Sequence, residues 1–136
     1  MNYKDQLLDK KSRILILGAL GQIGTVLTKH LREIYGETNV VASDIKLDSL
    51  SKLGSGPFEI IDATDYDSIL FASKKYSVKT IYLMAAVLSA NAEKDPNNAW
   101  NLNMQSLFNV LDLAKFGIIN KIFWPSSIAV FGPSTP

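Results

Sequence analysis

The chain has 136 residues, with 14 Lys and Arg against 13 Asp and Glu, one His and no Cys. That length supports a single hydrophobic core, and 47% hydrophobic with 20% charged residues excludes an intrinsically disordered chain. A net charge of +1 gives no electrostatic reason to bind nucleic acid or an anionic membrane, and the lack of Cys removes disulfides, thiolate metal ligands and a cysteine nucleophile.

With His30 as the lone histidine, no metal site is expected. Residues 1–12 read as a polar N-terminal extension, carrying Asp5 and Asp9 where a signal-peptide core would need apolar residues. Residues 13–136 read as one domain. Its longest apolar runs, Ile14–Leu20 and Ile81–Leu88, are too short to span a bilayer, so a cytoplasmic protein is expected.

Arg13–Leu17 (RILIL) is the continuous aliphatic run of a strand buried on both faces. Gln22–Tyr35 follows as a helix, with Ile23, Val26, Leu27, Leu31 and Ile34 at helical spacing and Gly36 where a C-terminal cap belongs. On it, His30 lies among Lys29 and Arg32 and reads as solvated. Asn39–Ser43 is a second strand, Lys46–Pro57 a polar helical turn and loop, and Phe58–Ile61 a third strand. Asp65–Tyr76 reads as a helix whose Asp65 and Asp67 suit the positive end of its dipole. Thr80–Met84 is the fourth strand and Leu88–Pro96 a polar loop. Asn97–Phe116 is the longest helix, ended by Gly117, and Lys121–Pro125 is the fifth strand, with Trp124 read as core. Alternating strands and helices predict an α/β fold, a Rossmann-like doubly wound parallel sheet in the order 3-2-1-4-5.

The chemistry begins at Gly18-Ala-Leu-Gly21-Gln-Ile-Gly24, between the first strand and its helix. This is the context of a dinucleotide fingerprint, though its spacing is GxxGxxG rather than GxGxxG. Gly18 permits a tight turn, Gly21 lets backbone N–H groups approach a pyrophosphate, and Gly24 lets the helix pack closely on the sheet. Asp44 ends the second strand twenty residues after Gly24, where a carboxylate can accept from the adenosine ribose hydroxyls and repel a 2′-phosphate. NAD is therefore expected over NADP. Taken alone, Asp44 would serve equally as a helix cap or turn residue. Asp62 and Ala63, behind the third strand, are placed to meet adenine, and Ala85 and Ala86, behind the fourth, are small enough for a dinucleotide to cross; ordinary strand-end packing is the alternative for all four.

The segments GALGQIG, ASDI, MAAVLSANAEKDP, NLN and PSSIAVFGPSTP occur in that order. Together they resemble the extended short-chain dehydrogenase/reductase superfamily, and within it the L-threonine 3-dehydrogenases, over about Arg13 to Pro136. The resemblance implies that Gly18, Gly21, Gln22 and Ile23 cradle the pyrophosphate, Asp44 and Ile45 hold the ribose, and Asp62 and Ala63 meet the adenine. It also implies that Ala85, Ala86 and Asn103 line the nicotinamide half, that Ser89 touches substrate, and that Ser127 is the catalytic hydroxyl that hydrogen-bonds the reacting alcohol.

The family's base is the tyrosine of a Tyr-x-x-x-Lys motif, acidified by its lysine. Here Tyr3, Tyr35, Tyr66, Tyr76 and Tyr82 are followed four residues later by Leu7, Asn39, Leu70, Thr80 and Ala86. The chain is thus expected to be the N-terminal, cofactor-binding part of a longer enzyme, inactive alone. Its 97–116 helix is apolar over a broad arc, with Ala99, Leu102, Leu107, Val110 and Ala114 on one face and Trp100, Met104, Phe108 and Leu111 beyond it. In the family this helix pairs in a four-helix interface, which implies a homodimer for the complete protein. The resemblance also leaves a nucleotide-sugar epimerase or dehydratase as an alternative, and the residues alone leave a non-catalytic nucleotide-binding module.

Overall fold

The computed structural model describes residues 13–48, 52–87 and 92–126. Five parallel strands form one sheet: β1 (Arg13–Leu17), β2 (Val40–Asp44), β3 (Phe58–Ile60), β4 (Val78–Leu83) and β5 (Lys121–Phe123), in the order β3-β2-β1-β4-β5. Among the described residues the helices are α1 (Gln22–Tyr35), α2 (Tyr66–Lys75) and α3 (Pro96–Lys115), with a 3-10 turn at Glu37–Asn39. The expected α/β topology is therefore the observed one.

Side chains alternate across a strand, and β1 shows the consequence. Ile14 and Ile16 join Val40, Ala42, Leu31 and Leu53 in a core under α1, while Leu15 and Leu17 join Val41, Ile81, Leu83, Ile69, Val110 and Leu113 under α2 and α3. Parallel register sets Leu17 beside Ser43 and Leu83, so the C-terminal ends of the three central strands lie at one edge. That edge is where the turn behind β1 emerges.

Element ends differ from expectation by one or two residues, with larger differences in which faces are buried. On α1, Ile23 and Val26 are 66% and 69% exposed and Ile34 is exposed too, whereas Gly24, Thr28, Leu31 and Arg32 are buried. Small Gly24 and Thr28 let the helix sit close to the sheet, and that contact, not the count of large apolar residues, chooses the face. Arg32 is no surface cation. Its guanidinium donates to the carbonyls of Val40, Leu53 and Pro57, clamping the connection that leads into β3. Within 46–57 the described residues turn about Asp48, whose carboxylate accepts from Lys52 N and Leu53 N. His30 is exposed, 3.5 Å from Glu33.

On α3 the buried line is Ala99, Ser106, Asn109, Val110 and Leu113. Two polar residues sit inside it because each is satisfied: Ser106 Oγ donates to Asn103 O, and Asn109 Nδ2 to Ala63 O. Leu102, Leu107 and Ala114 flank that line half-buried, and Trp100, Phe108 and Leu111 are exposed. Trp124 is not core: it is 48% exposed and, with Trp100, Met104 and Pro96, lines an open apolar cavity of about 500 Å³.

Candidate functional site

Three strand ends converge on the turn behind β1. Gly18 N and Ala19 N both donate to Ser43 O, at 2.9 and 2.8 Å, and Met84 N donates to Leu17 O at 2.8 Å. Gly18 adopts φ +87°, in the region that favours glycine, and a Cβ there would lie 2.5 Å from Ala85 N. A Cβ on Gly24 would lie 2.2 Å from Gly18 O, so the first turn of α1 rests directly on the loop. Gly21 contrasts with both: a Cβ would meet only Gly18 O, at 3.4 Å, and the space before the helix is open.

The α1 N-terminus differs from those of α2 and α3. Asp65 caps α2 by accepting from Asp67 N and Ser68 N, and Asp95 caps α3 by accepting from Asn98 N. Gly21 caps α1 with no side chain, and no acid lies in its first turn. The first N–H groups of a helix have no partner within it, so those of Gln22 and Ile23 face the open side with the positive end of the dipole behind them.

Asp44 braces this loop. Its Oδ2 accepts from Leu20 N at 3.0 Å, and its Oδ1 accepts from Lys46 N at 3.4 Å. One carboxylate oxygen thus fixes the acid against the glycine turn, and the other closes an exposed turn with Lys46 N, keeping a lone pair to accept from a vicinal diol. The bond from Lys46 N is the turn role that Asp44 alone would serve, and the bond from Leu20 N, across 24 residues, is additional to it. Ile45, next along, is exposed.

The remaining expected residues ring the same strand edge. Asp62 ends the β3 run exposed, with Oδ1 accepting from Thr64 N and Oγ1, and Ala63 beside it is buried. Ala85 is half-buried against Gly18, and Ala86 is exposed. Asn103 reaches this edge from α3, but both ends of its amide serve the backbone of Val87, through Val87 N to Oδ1 at 2.9 Å and Nδ2 to Val87 O at 3.4 Å. Ser89 and Ser127 lie outside the described residues. Three participants escaped the sequence reading: Leu20 through its N–H, Ser43 through its carbonyl, and Asn109. Only Asn109 left a signal, as a polar residue in phase with the buried side of α3.

The fit to a dinucleotide rests on this geometry: an uncapped helix start, a cradle that Cβ atoms would fill at Gly18 and Gly24, and the Asp44 carboxylate held beside it. Residues 14–136 match the description of the NAD dependent epimerase/dehydratase family. The chain belongs to that family. The cofactor expected from the glycine loop and Asp44 is the one the family's description carries.

Among epimerase/dehydratase relatives, an uncharacterized epimerase/dehydratase of Staphylococcus haemolyticus is 47% identical over 125 residues, covering 91% of this chain and 39% of its own length. The L-threonine dehydrogenase of Clostridium difficile is 50% identical with a TM-score of 0.85, covering 92% of this chain and 39% of its own. The GalE-like L-threonine dehydrogenase of Cupriavidus necator, in its holo form, is 46% identical with a TM-score of 0.83, covering 91% and 40%. The UDP-glucose 4-epimerase of Thermus thermophilus, 21% identical over 82% of this chain and 36% of its own at a TM-score of 0.69, shares the fold alone. This chain spans about two fifths of the length of these relatives. Among the described residues no helix is long and apolar enough to cross a membrane.

Proposed function

We propose that this chain is the NAD-binding part of a cytoplasmic L-threonine 3-dehydrogenase, which oxidises the 3-hydroxyl of L-threonine to 2-amino-3-oxobutyrate. The observation that carries the cofactor half is the Asp44 bridge to Leu20 N, which sets the carboxylate, its other oxygen in an exposed turn with Lys46 N, beside an uncapped helix N-terminus. The substrate half is supported by identities of 46–50% to threonine dehydrogenases, against 21% to a UDP-glucose 4-epimerase.

In this reading the N–H groups of Gln22 and Ile23 receive the pyrophosphate, with Gly18, Gly21 and Gly24 shaping the approach. Asp44 and Ile45 hold the adenosine ribose, Asp62 and Ala63 border the adenine, and Ala85 and Ala86 leave room for the nicotinamide half. Asn103 acts on that half by fixing Val87. Ser89 contacts substrate and Ser127 orients its hydroxyl. NAD, when bound, supplies the hydride acceptor. The sequence has no Tyr-x-x-x-Lys to take the hydroxyl proton, so the chain alone is expected to bind NAD weakly and to turn nothing over. The complete protein is read as a homodimer joined through the 97–116 helix.

Two measurements test this. Calorimetric titration of the chain should give tighter binding of NAD than NADP, with Asp44→Asn narrowing the gap because the amide no longer repels a 2′-phosphate. Equal affinity of the wild type for both would overturn the assignment of Asp44. The complete polypeptide should then reduce NAD with L-threonine and not with UDP-glucose; the reverse preference would favour the nucleotide-sugar reading.

A further inference from the structure

One side-chain hydrogen bond joins α3 to the turn behind β3, across 46 residues of sequence. Asn109 is 3% exposed; its Nδ2 donates to Ala63 O at 3.1 Å and its Oδ1 accepts from Gln105 Nε2 at 2.8 Å. An amide on the buried line of a helix is unfavourable unless both of its ends are paired. Here both are, and the partner outside the helix is a backbone carbonyl of the turn that Asp62 begins.

That turn has its own local bonds. Asp65 N donates to Asp62 O, and Asp62 Oδ1 accepts from Thr64 N and Thr64 Oγ1. They shape the turn, while Ile61 N, donating to Asp44 O at 2.9 Å, holds only its start to β2. The strand before it, β3, has three residues, stands at the edge of the sheet, and pairs only with β2. Asn109 ties the turn to the helical layer. Six residues earlier on α3, Asn103 ties Val87 behind β4 in the same way. The two amides are separated by about 9 Å along the axis, at the 1.5 Å rise of a helix, and each holds one loop at the edge where the strands end.

We propose that Asn109 is a positioning residue for the adenine half of the cofactor: through Ala63 it sets where the Asp62–Ala63 turn stands, and it touches no ligand itself. This rests on the NAD-binding reading above. It predicts that losing the Asn109 amide weakens any ligand carrying the adenosine half, through a displaced turn and not through a damaged core.

The test uses the 136-residue chain with Asn109→Leu, and with Ser106→Ala as a control buried on the same helix but bonded only within it. AMP, which carries the adenine half alone, is titrated by NMR. Amide exchange is followed at Thr64 and Asp65, and in the sheet core at Val41 and Ile81. Asn109→Leu is expected to lower AMP affinity about three- to tenfold, the effect of one hydrogen bond. Exchange at Thr64 and Asp65 should quicken while Val41 and Ile81 stay protected, and Ser106→Ala should change neither. Should the Leu variant fail to fold, Asn109→Ser, too short to reach Ala63, is read by the same criteria. Unchanged AMP affinity, or equal quickening of the core, overturns the proposal alone. A wild-type chain that binds no AMP overturns the cofactor reading, and this proposal with it.

Discussion

At the scale of single residues, the site depends on contacts too close for ordinary side chains. Gly24→Ala would set a Cβ 2.2 Å from Gly18 O, and the helix must move off the loop to admit it. We expect a loss of about 2 kcal/mol, in the range of overpacked cores, together with lost NAD binding; denaturant unfolding and titration read the two effects separately. Ser73 makes the opposite case. Its hydroxyl is buried on α2 with no hydrogen-bond partner among the described residues, so Ser73→Ala should leave stability unchanged or raise it by about 1 kcal/mol. A clear loss in urea midpoint would mean the hydroxyl has a partner. Arg32→Leu takes the side-chain donor from the carbonyls of Val40, Leu53 and Pro57, of which Pro57 O keeps Ala42 N, and is expected to cost about 2 kcal/mol, since a buried acceptor left unpaired carries a desolvation penalty.

At the scale of elements, carboxylates hold the start of α2 and the edge strand. Asp65 lies below the usual carboxylate range because Ser68 donates to it from its side chain and backbone, with Asp67 N adding to this. Burial pushes Glu59 up, but hydrogen bonds from Lys75 and Tyr76, at 2.6 Å each, outweigh it and hold the acid down. A depressed carboxylate contributes stability that is present above its unfolded pKa and is lost as pH falls through its folded pKa. Acidification below about pH 4, the ordinary carboxylate range, should therefore loosen β3 and the first turn of α2. Glu59→Gln should make the fall of the urea midpoint with pH shallower, at a cost under about 1 kcal/mol at neutral pH because the pair is partly solvated. An unchanged slope would remove Glu59 from the account. The contrast with α1 bears on the proposed site: Asp65 and Asp95 cap α2 and α3, and α1 has no side-chain cap.

At the scale of the whole molecule, one face of α3 has no cover among the described residues. Trp100 is 67% and Phe108 52% exposed, with Leu111 beside them and Trp124 across the cavity. Uncovered apolar area of this kind favours association. Sedimentation of the chain over rising concentration should show self-association through this face, and a Trp100→Glu, Phe108→Lys double variant should abolish it without changing AMP affinity. A chain monomeric at every concentration would count against the homodimer reading. The Tyr82 and Phe123 rings, stacked 4.4 Å apart on neighbouring strands, strengthen the link of edge strand β5 to β4.

How much of this was legible beforehand follows from the range of the forces involved. Strand and helix order, the 3-2-1-4-5 topology, the glycine loop and Asp44 were open to sequence reading, because apolar periodicity, right-handed crossovers and the sterics of glycine act over a few residues or by general rule. Burial of Thr28 and Arg32 instead of Ile23, Val26 and Ile34 could not be read, nor could exposure of Trp124. Each depends on what lies opposite in space: the sheet close under α1, three carbonyls from β2 and the β2–β3 connection, an open cavity. The same holds for the two bonds that shape the site, Asp44 to Leu20 and Asn109 to Ala63. Sequence alone determined which residue types stand near the strand ends. The tertiary structure decided which atoms are tied down and which remain free, because a hydrogen bond across 24 or 46 residues exists only once both elements have packed.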